Sequence, residues 1–83
     1  MIVSLSPRAL KDIKELDPAI RKRVVRKIED IEQERTKPEP LLGDLSGLWK
    51  VYVGLRWRIL LEISSDHQTA VIVKVAPRRE SYR

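Results

Sequence analysis

The chain has 83 residues and a formal net charge of +5, from 17 lysines and arginines against 12 acidic side chains. This length predicts one domain with a single small core, which excludes a cofactor-binding domain beside a separate substrate domain. The absence of cysteine excludes disulfides and thiolate metal sites, and the basic balance favours a polyanion or an acidic protein as partner.

The sequence also bears on where the protein works. It contains no apolar run long enough for a transmembrane helix, and residues 1–13 lack the pattern of a signal peptide. No internal repeat or low-complexity tract is visible. We therefore expect a single soluble domain, residues 1–83, in the cytoplasm.

The first half of the chain predicts one strand and two helices. Ile2–Leu5 is a short apolar run that is typical of a strand. Ser6-Pro7 and Asp17-Pro18 each combine a good N-cap residue with a proline suited to the first helical position. Apolar residues recur at helical spacing after both signals, which predicts amphipathic helices ending near Leu16 and Arg35. Because almost no loop separates them, the helices should form an antiparallel hairpin.

The second half predicts a sheet. Residues 36–47 begin with closely spaced prolines and should form a surface loop. Residues 48–53, 57–63 and 70–76 are rich in β-branched and aromatic side chains and predict three strands joined by turns. The expected fold class is α+β: an N-terminal strand, a two-helix antiparallel hairpin, then a three-stranded antiparallel meander (β-α-α-β-β-β), with the helices on one sheet face.

Alternation along the predicted strands assigns their side chains to two faces of the sheet. In all three strands every second side chain is apolar, so the sheet face that these side chains form should pack against the helices. On that face we expect Trp49, Trp57, Val71, Val73 and Val75.

The opposite parity places at least one cation on each strand. Lys50, Arg58 and Lys74 should lie with Tyr52 on the uncovered face. Glu62 shares this face and should form an ion pair with Arg58 or with Lys74. A surface that carries mainly one charge sign beside a tyrosine suits a phosphate backbone with bases stacked nearby. The alternative is an ordinary solvated surface.

The same residues carry a family resemblance. The stretch "WKVYVGLRWRILLEI", followed after a turn by "VIVKVAPRRESYR", resembles the RelE/ParE superfamily of type II toxins, and more narrowly the RelE messenger-RNA interferases. The helical "SPRALKDIKELDPAIRKRVVRKIEDI" and the approach "LSGLWKV" stand in the family's order, so the resemblance covers nearly the whole chain. It implies a toxin held by an acidic RelB-like antitoxin. Once freed, such a toxin is a ribosome-dependent endoribonuclease that cuts messenger RNA in the A site by 2′-OH attack, with no metal or cofactor.

The resemblance also implies a set of catalytic residues. Lys50 and Arg58 correspond to the strand lysine and the strand arginine of the RelE site. Arg78 corresponds to the arginine after the last strand, and Tyr82 to the C-terminal tyrosine. Expected partners are the antitoxin, the ribosome and messenger RNA, with operator DNA as a ligand of the toxin–antitoxin complex and no membrane.

The chain departs from the family pattern in ways that leave the general base open. Tyr52 stands where many members carry a second strand lysine, and Ala76-Pro77 precedes Arg78 where glycine and a histidine or lysine are common. His67, the only histidine, falls in a predicted polar turn and should be a surface residue. We therefore expect an electrostatic site, in which arginines stabilise charge on a phosphorane and a tyrosine or lysine takes the proton. The residues expected to bind RNA are Tyr52, Arg56, Lys74, Arg79 and Arg83.

Two other functions remain open from the sequence. A ParE-like toxin would have the same fold and would inhibit DNA gyrase without cutting RNA. A plain nucleic-acid-binding or co-repressor module would share the basic surface and lack toxicity.

Overall fold

The computed structural model describes residues 1–43 and 47–78. Within these residues the predicted α+β fold is confirmed, with one short strand added inside the predicted loop 36–47. The described helices include none that is long and apolar enough to cross a membrane. The elements are β1 (Ile2–Leu5), α1 (Pro7–Lys14), α2 (Pro18–Glu32), β2 (Glu39–Pro40), β3 (Trp49–Val53), β4 (Trp57–Ile63) and β5 (Thr69–Pro77).

The five strands form one mixed sheet in the order β1-β5-β4-β3-β2. Strands β3, β4 and β5 pair antiparallel in chain order, as the predicted meander requires. The unpredicted β2 pairs antiparallel with β3, and β1 pairs parallel with β5. The first strand of the chain therefore lies beside the last, and the helices connect the two. Pairing β1 with β5 therefore joins residues that are separated by most of the length of the chain.

Helix α1 replaces β1 as the edge partner of β5 once β1 ends. The Ser6 hydroxyl caps the helix by accepting from the Ala9 amide at 3.0 Å, and it donates to the Val73 carbonyl at 3.1 Å. Nearly two turns later the Asp12 carboxylate accepts from the Val75 amide at 3.0 Å. Side chains of α1 thus satisfy backbone groups that an edge strand would otherwise leave open.

The tight connection between the helices depends on Arg21. Its guanidinium donates to the carbonyls of Ile13, Lys14 and Leu16 at 3.2, 3.0 and 3.0 Å. These carbonyls belong to the last turn of α1 and the residues after it, which have no partner within the helix. Arg21 therefore caps α1 from the first turns of α2 and stabilises the predicted hairpin.

The core lies between the helices and one face of the sheet. Trp49 and Trp57 pack against it and are partly buried, as predicted. The buried residues of the core are Ala9, Ile13, Leu16, Val24, Ile31, Val51, Val53, Ile59, Leu61, Ala70, Ile72 and Val75.

The ladder between β4 and β5 contains one extra residue. Leu60 is paired with Lys74, but the next residue, Leu61, is paired with Ile72. Val73 therefore has no partner on β4, which is the arrangement of a β-bulge. The bulge lies where the Ser6 hydroxyl bonds the Val73 carbonyl, so α1 contacts β5 at the irregular position.

The bulge corrects the predicted faces of β5. Ala70 and Ile72 join Val75 in the core, with 3% and 0% of their surface exposed, whereas Val71 is 37% exposed on the other face. The expectation that Val71 and Val73 pack against the helices is wrong. One additional residue inverts the alternation for every position before it, and no feature of the sequence marks the insertion.

Helix α2 carries its charges in an order that opposes its own dipole. Its first turn has no acidic residue and its last turn has no basic residue. Exposed cations near a helix N-terminus and anions near its C-terminus each cost about 0.3–1 kcal/mol, so helix stability does not explain this order. The basic residues are Arg21, Lys22, Arg23, Arg26 and Lys27, and the acidic residues that follow are Glu29, Asp30 and Glu32.

The bulge predicts opposite outcomes for two neighbouring substitutions. Ile72→Ala should lower the free energy of unfolding by about 2–4 kcal/mol, because it opens a cavity in the core. Val71→Ala should cost less than about 1 kcal/mol, because Val71 is partly solvated. Urea denaturation of both variants measures the difference. A larger loss of unfolding free energy for Val71→Ala than for Ile72→Ala would contradict the bulge. It would show that Val71 packs in the core, as regular alternation predicts.

The cap of α1 gives a second stability prediction. Ser6→Ala removes an acceptor for the Ala9 amide and a donor to the Val73 carbonyl, so it should destabilise the protein by about 1–2 kcal/mol. Ser4→Ala is the matched control, because Ser4 is an exposed residue of β1. Thermal and urea unfolding should leave the control within about 0.5 kcal/mol of the parent. Equal effects would mean that the cap contributes nothing specific.

Candidate nucleic-acid interface

The sheet face opposite the helices carries the predicted site residues in two cross-strand rows. In the first row, Leu60 of β4 lies between Lys50 of β3 and Lys74 of β5. Leu60 is only 4% exposed, so the two lysines flank an apolar floor. Strand spacing places their backbones on the order of 10 Å apart.

The added strand β2 brings a carboxylate to the end of this row. Glu39 is the register partner of Lys50 on the side away from β4. Sequence reasoning missed this neighbour because Pro38 and Pro40 enclose Glu39, and prolines are typical of loops. A strand at the sheet edge tolerates proline, since its outer amides need no partner there.

The second row contains Arg58. Its register partners are Tyr52 on β3 and Ala76 on β5. Arg58 has none of its surface exposed, and it is the only charged side chain that is buried in the described part of the chain. Burial of a guanidinium is costly unless it is well paired. An ordinary solvated surface therefore does not account for Arg58.

Tyr52 lies within cation–π distance of two positive side chains. The Lys50 Nζ atom is 5.1 Å from the centroid of the ring, and the Arg78 Cζ atom is 4.5 Å from it. The backbone also fixes Arg78, because its amide donates to the Arg56 carbonyl at 2.7 Å. The end of β5 is thereby joined to the β3–β4 turn, and Arg78 is brought to the same ring as Lys50.

Other predicted RNA-binding residues lie at the margin of this surface or beyond it. Arg56 is exposed in the β3–β4 turn, in a groove that it shares with Arg23 of α2. Lys74 also lines a groove of about 360 Å³ between α1 and β5. Arg79, Tyr82 and Arg83 lie outside the described residues, so the convergence of these three side chains on the site stays a prediction.

Glu62 does not pair as expected. It is exposed opposite Val71, and in residues 1–43 and 47–78 no ion pair joins it to Arg58 or Lys74. The bulge inserts Val73 between Lys74, which stays opposite Leu60, and the residues opposite Leu61 and Glu62, so Glu62 faces Val71 and is one residue farther from Lys74 along β5. The expectation of a pair with Lys74 is therefore wrong for the same reason as the assignment of Val71.

The β4–β5 turn holds the remaining candidates for acid–base chemistry. His67 is exposed, as predicted, and its ring meets Trp49 edge-on with centroids 6.0 Å apart. The Ser64 hydroxyl, followed by the Gln68 amide, lowers the pKa of Asp66 by bonding its carboxylate. Asp66 therefore stays ionised and stabilises the turn, and it is not suited to proton transfer near neutral pH.

Comparison with known proteins identifies the family. Residues 3–82 match the family model described as the ParE toxin of the type II toxin–antitoxin system, parDE. The chain belongs to the ParE toxin family. It is therefore a toxin of the type II toxin–antitoxin class, within the RelE/ParE superfamily that its sequence resembles.

Solved structures of related toxins agree with this assignment. The RelBE2 toxin–antitoxin complex of Mycobacterium tuberculosis has a chain 30% identical to this ParE-family toxin, with a TM-score of 0.80 over 93% of this chain and 96% of that one. The YoeB/ParE toxin of Agrobacterium tumefaciens is 18% identical, with a TM-score of 0.75 over 94% and 99%. The isolated RelE toxin of E. coli is 21% identical, with a TM-score of 0.69 over 98% and 89%. The last two structures have the same fold as this chain. A comparison with curated protein sequences gives no match.

The contact between Tyr52 and Arg78 predicts a measurable coupling. In a double-mutant cycle of Tyr52→Leu and Arg78→Gln, the two changes should be non-additive in unfolding free energy by about 0.5–1 kcal/mol. A second cycle pairs Tyr52→Leu with Lys11→Gln, an exposed lysine of α1 on the other side of the sheet, and should give a coupling near zero. Urea unfolding of the single and double variants checks both. Equal couplings in the two cycles would exclude a specific contact.

Proposed function

We propose that this ParE-family toxin is an endoribonuclease that cuts messenger RNA in the ribosomal A site. The observation that carries the proposal is the surface where Tyr52 meets Lys50 and Arg78, next to the buried Arg58. These side chains come from two strands, β3 and β4, and from the residue that follows β5. Their chemistry fits a phosphodiester with an unpaired base beside it.

The reaction follows from the side chains available. The 2′-oxygen of a nucleotide loses its proton and attacks the adjacent phosphorus, the bond to the 5′ oxygen breaks, and a cyclic phosphate is left. The exposed Arg78 stabilises the extra negative charge on the phosphorane oxygens by direct contact, and the buried Arg58 adds to this stabilisation through the field of its charge. A preorganised donor of this kind contributes about 10²–10³ in rate. Since Arg58 is buried, its charge is screened less by water than that of an exposed arginine.

Proton transfer and base positioning complete the site. Lys50 serves as supporting charge or as general base, and Tyr82 as base or as a ring that orients the nucleotide. Tyr52 offers a ring on which a base can stack, and such a contact is worth about 1–3 kcal/mol per base. Leu60 supplies an apolar floor in the adjacent row. Lys74, Arg79 and Arg83 hold the flanking backbone.

The need for a ribosome follows from what the site lacks. The sequence has a single histidine, and among the described carboxylates Glu62 faces Val71 and Glu39 lies beside Lys50 at the sheet edge, so no histidine–carboxylate or histidine–histidine pair is available at this surface for acid–base work. A weak acid–base arrangement depends on a substrate that is already held in the reactive geometry. The ribosomal A site supplies that positioning to the messenger RNA.

An acidic antitoxin is the proposed inhibitor. Solved structures of RelBE2 from Mycobacterium tuberculosis and of RelE–RelB from Pyrococcus horikoshii are toxin–antitoxin complexes. With a net charge of +5, this toxin attracts an acidic partner, which blocks the cationic face by charge complementarity. The resulting complex is also the form proposed to bind operator DNA.

A second function is favoured by the family model, which is named for ParE. In this alternative the toxin inhibits DNA gyrase and leaves RNA intact. The fold does not separate the two functions, since both classes share it. The residues around Tyr52 favour RNA cutting, because gyrase inhibition does not require a phosphate-binding centre.

Expression of the toxin alone in cells, followed by mapping of messenger RNA 5′ ends, tests the proposal. We expect cuts within translated codons, reduced about 10²–10³-fold by Arg78→Ala. Tyr82→Phe should reduce cutting if the phenol takes the proton, and Lys37→Ala is the matched control for loss of one exposed cation. DNA damage with intact messenger RNA would contradict the nuclease proposal and support inhibition of DNA gyrase. Absence of both effects would leave a binding module.

A further inference from the structure

We propose that helix α2 carries a second phosphate-binding surface, which holds structured RNA outside the site around Tyr52. It consists of Lys22, Arg23 and Arg26, together with Arg56 of the β3–β4 turn, and is called the α2 surface below. This inference rests on the proposed function, because a toxin that cuts messenger RNA in the ribosomal A site must bind the ribosome that holds its substrate. Its binding to RNA is measurable without any cleavage.

The three helical cations of the α2 surface are exposed and uncommitted. In the described residues no ion pair joins Lys22, Arg23 or Arg26 to an acidic side chain. Their neighbours differ, because Arg21 donates to three carbonyls of the helical hairpin and Lys27 lies 4.0 Å from an acid one turn later. The helix therefore uses two of its cations internally and presents the other three to solvent.

The arrangement of these cations is unfavourable for the helix itself. Lys22 and Arg26 are four residues apart, and Arg23 and Arg26 are three apart, so both pairs place like charges on adjacent turns. Lys22 and Arg23 lie in the N-terminal half of α2 and Arg26 just past its midpoint, and the first turn of the helix has no acidic residue. An external anion bound across these side chains relieves the repulsion between them.

The α2 surface adjoins the site around Tyr52 through the β3–β4 turn. The guanidinium of Arg23 lies 3.9 Å from the point where a Cβ would stand on Gly54. Arg23 and Arg56 line one groove, and the carbonyl of Arg56 accepts from the amide of Arg78. One large RNA can therefore contact both surfaces by passing around the hairpin.

The composition of the α2 surface favours phosphate over an acidic polypeptide. Protein interfaces are centred on buried aromatic or large apolar anchors. In the groove beside Lys22 and Arg26 the exposed apolar side chain is Val25, of which 42% is accessible. The groove of Arg23 and Arg56 is also lined by Trp57 and by Leu55, which is 89% exposed. Together the two grooves are lined by five arginines and lysines against one acid, Glu29, and this excess of positive charge suits a phosphate backbone.

The test uses RNA probes that cannot be cut. A 20-base-pair hairpin and a 10-nucleotide single strand, both fully 2′-O-methylated and so without the attacking hydroxyl, are bound to the full chain and followed by fluorescence anisotropy across a salt series. The test variant is Lys22→Gln, Arg23→Gln and Arg26→Gln together. The matched control is Lys11→Gln, Lys14→Gln and Lys37→Gln, which removes the same charge from exposed positions elsewhere. Circular dichroism checks folding, and Arg26→Gln alone replaces the triple variant if that fails to fold.

The α2 surface predicts a selective loss. The triple variant should bind the hairpin at least about 10-fold more weakly, and its slope of log affinity against log salt should fall by about 2–3 for three lost phosphate contacts. Arg26→Gln alone should reduce the slope by about 1. The control triple should keep most of the hairpin affinity, and single-strand binding should change less than about twofold in either variant.

Several results would overturn the inference. Equal losses in the two triple variants would show a non-specific charge effect, and unchanged hairpin binding would remove the surface altogether. Loss of binding to a polyglutamate peptide, with RNA binding intact, would assign the α2 surface to an acidic protein. Selective RNA binding without messenger cleavage in cells would support the α2 surface and reject the nuclease, so the two proposals fail separately.

Discussion

The register between β4 and β5 decides what each face of the sheet carries. With Val73 as the extra residue, Ile72 and Ala70 enter the core while Lys74 remains in line with Leu60 and Lys50. Without the bulge, Ile72 and Val71 would exchange faces, and the core would lose a fully buried side chain. Ser6 and Asp12 bond β5 on both sides of this point, so the first helix stabilises the register on which the site depends.

The structure concentrates positive charge at two places. Arg58 is buried on the sheet beside the tyrosine ring that Lys50 and Arg78 share, and Lys22, Arg23 and Arg26 are exposed on α2. Both places attract an anion. This common feature links the site around Tyr52 to the α2 surface.

Family membership and site chemistry answer different questions here. The match over residues 3–82 and the similarity to RelBE2 fix the class of toxin and the fold. They leave the target open, because one fold serves toxins with different targets. The proposal of RNA cutting therefore depends on particular side chains, above all Arg58 and Arg78 beside Tyr52. Its strength is that their positions follow from strand register and from the bond between Arg78 and Arg56.

Several local features of this protein could be predicted from its amino-acid sequence. Ser6-Pro7 and Asp17-Pro18 marked the helix starts, and strand composition placed Trp49 and Trp57 on the core side. These signals act over a few residues, through backbone preference and side-chain alternation, so they are visible without a fold. The cations of β3 and β4 were also assigned to one face by alternation alone.

Features that depend on residues far apart in the chain could be seen only in the folded protein. The parallel pairing of β1 with β5, the bulge at Val73 and the strand at Glu39–Pro40 each require a neighbour that local preference does not specify. The burial of Arg58 and the placement of Arg78 at the ring of Tyr52 are of the same kind. Their energies come from packing and hydrogen bonds across the sheet, which exist only once the strands have assembled.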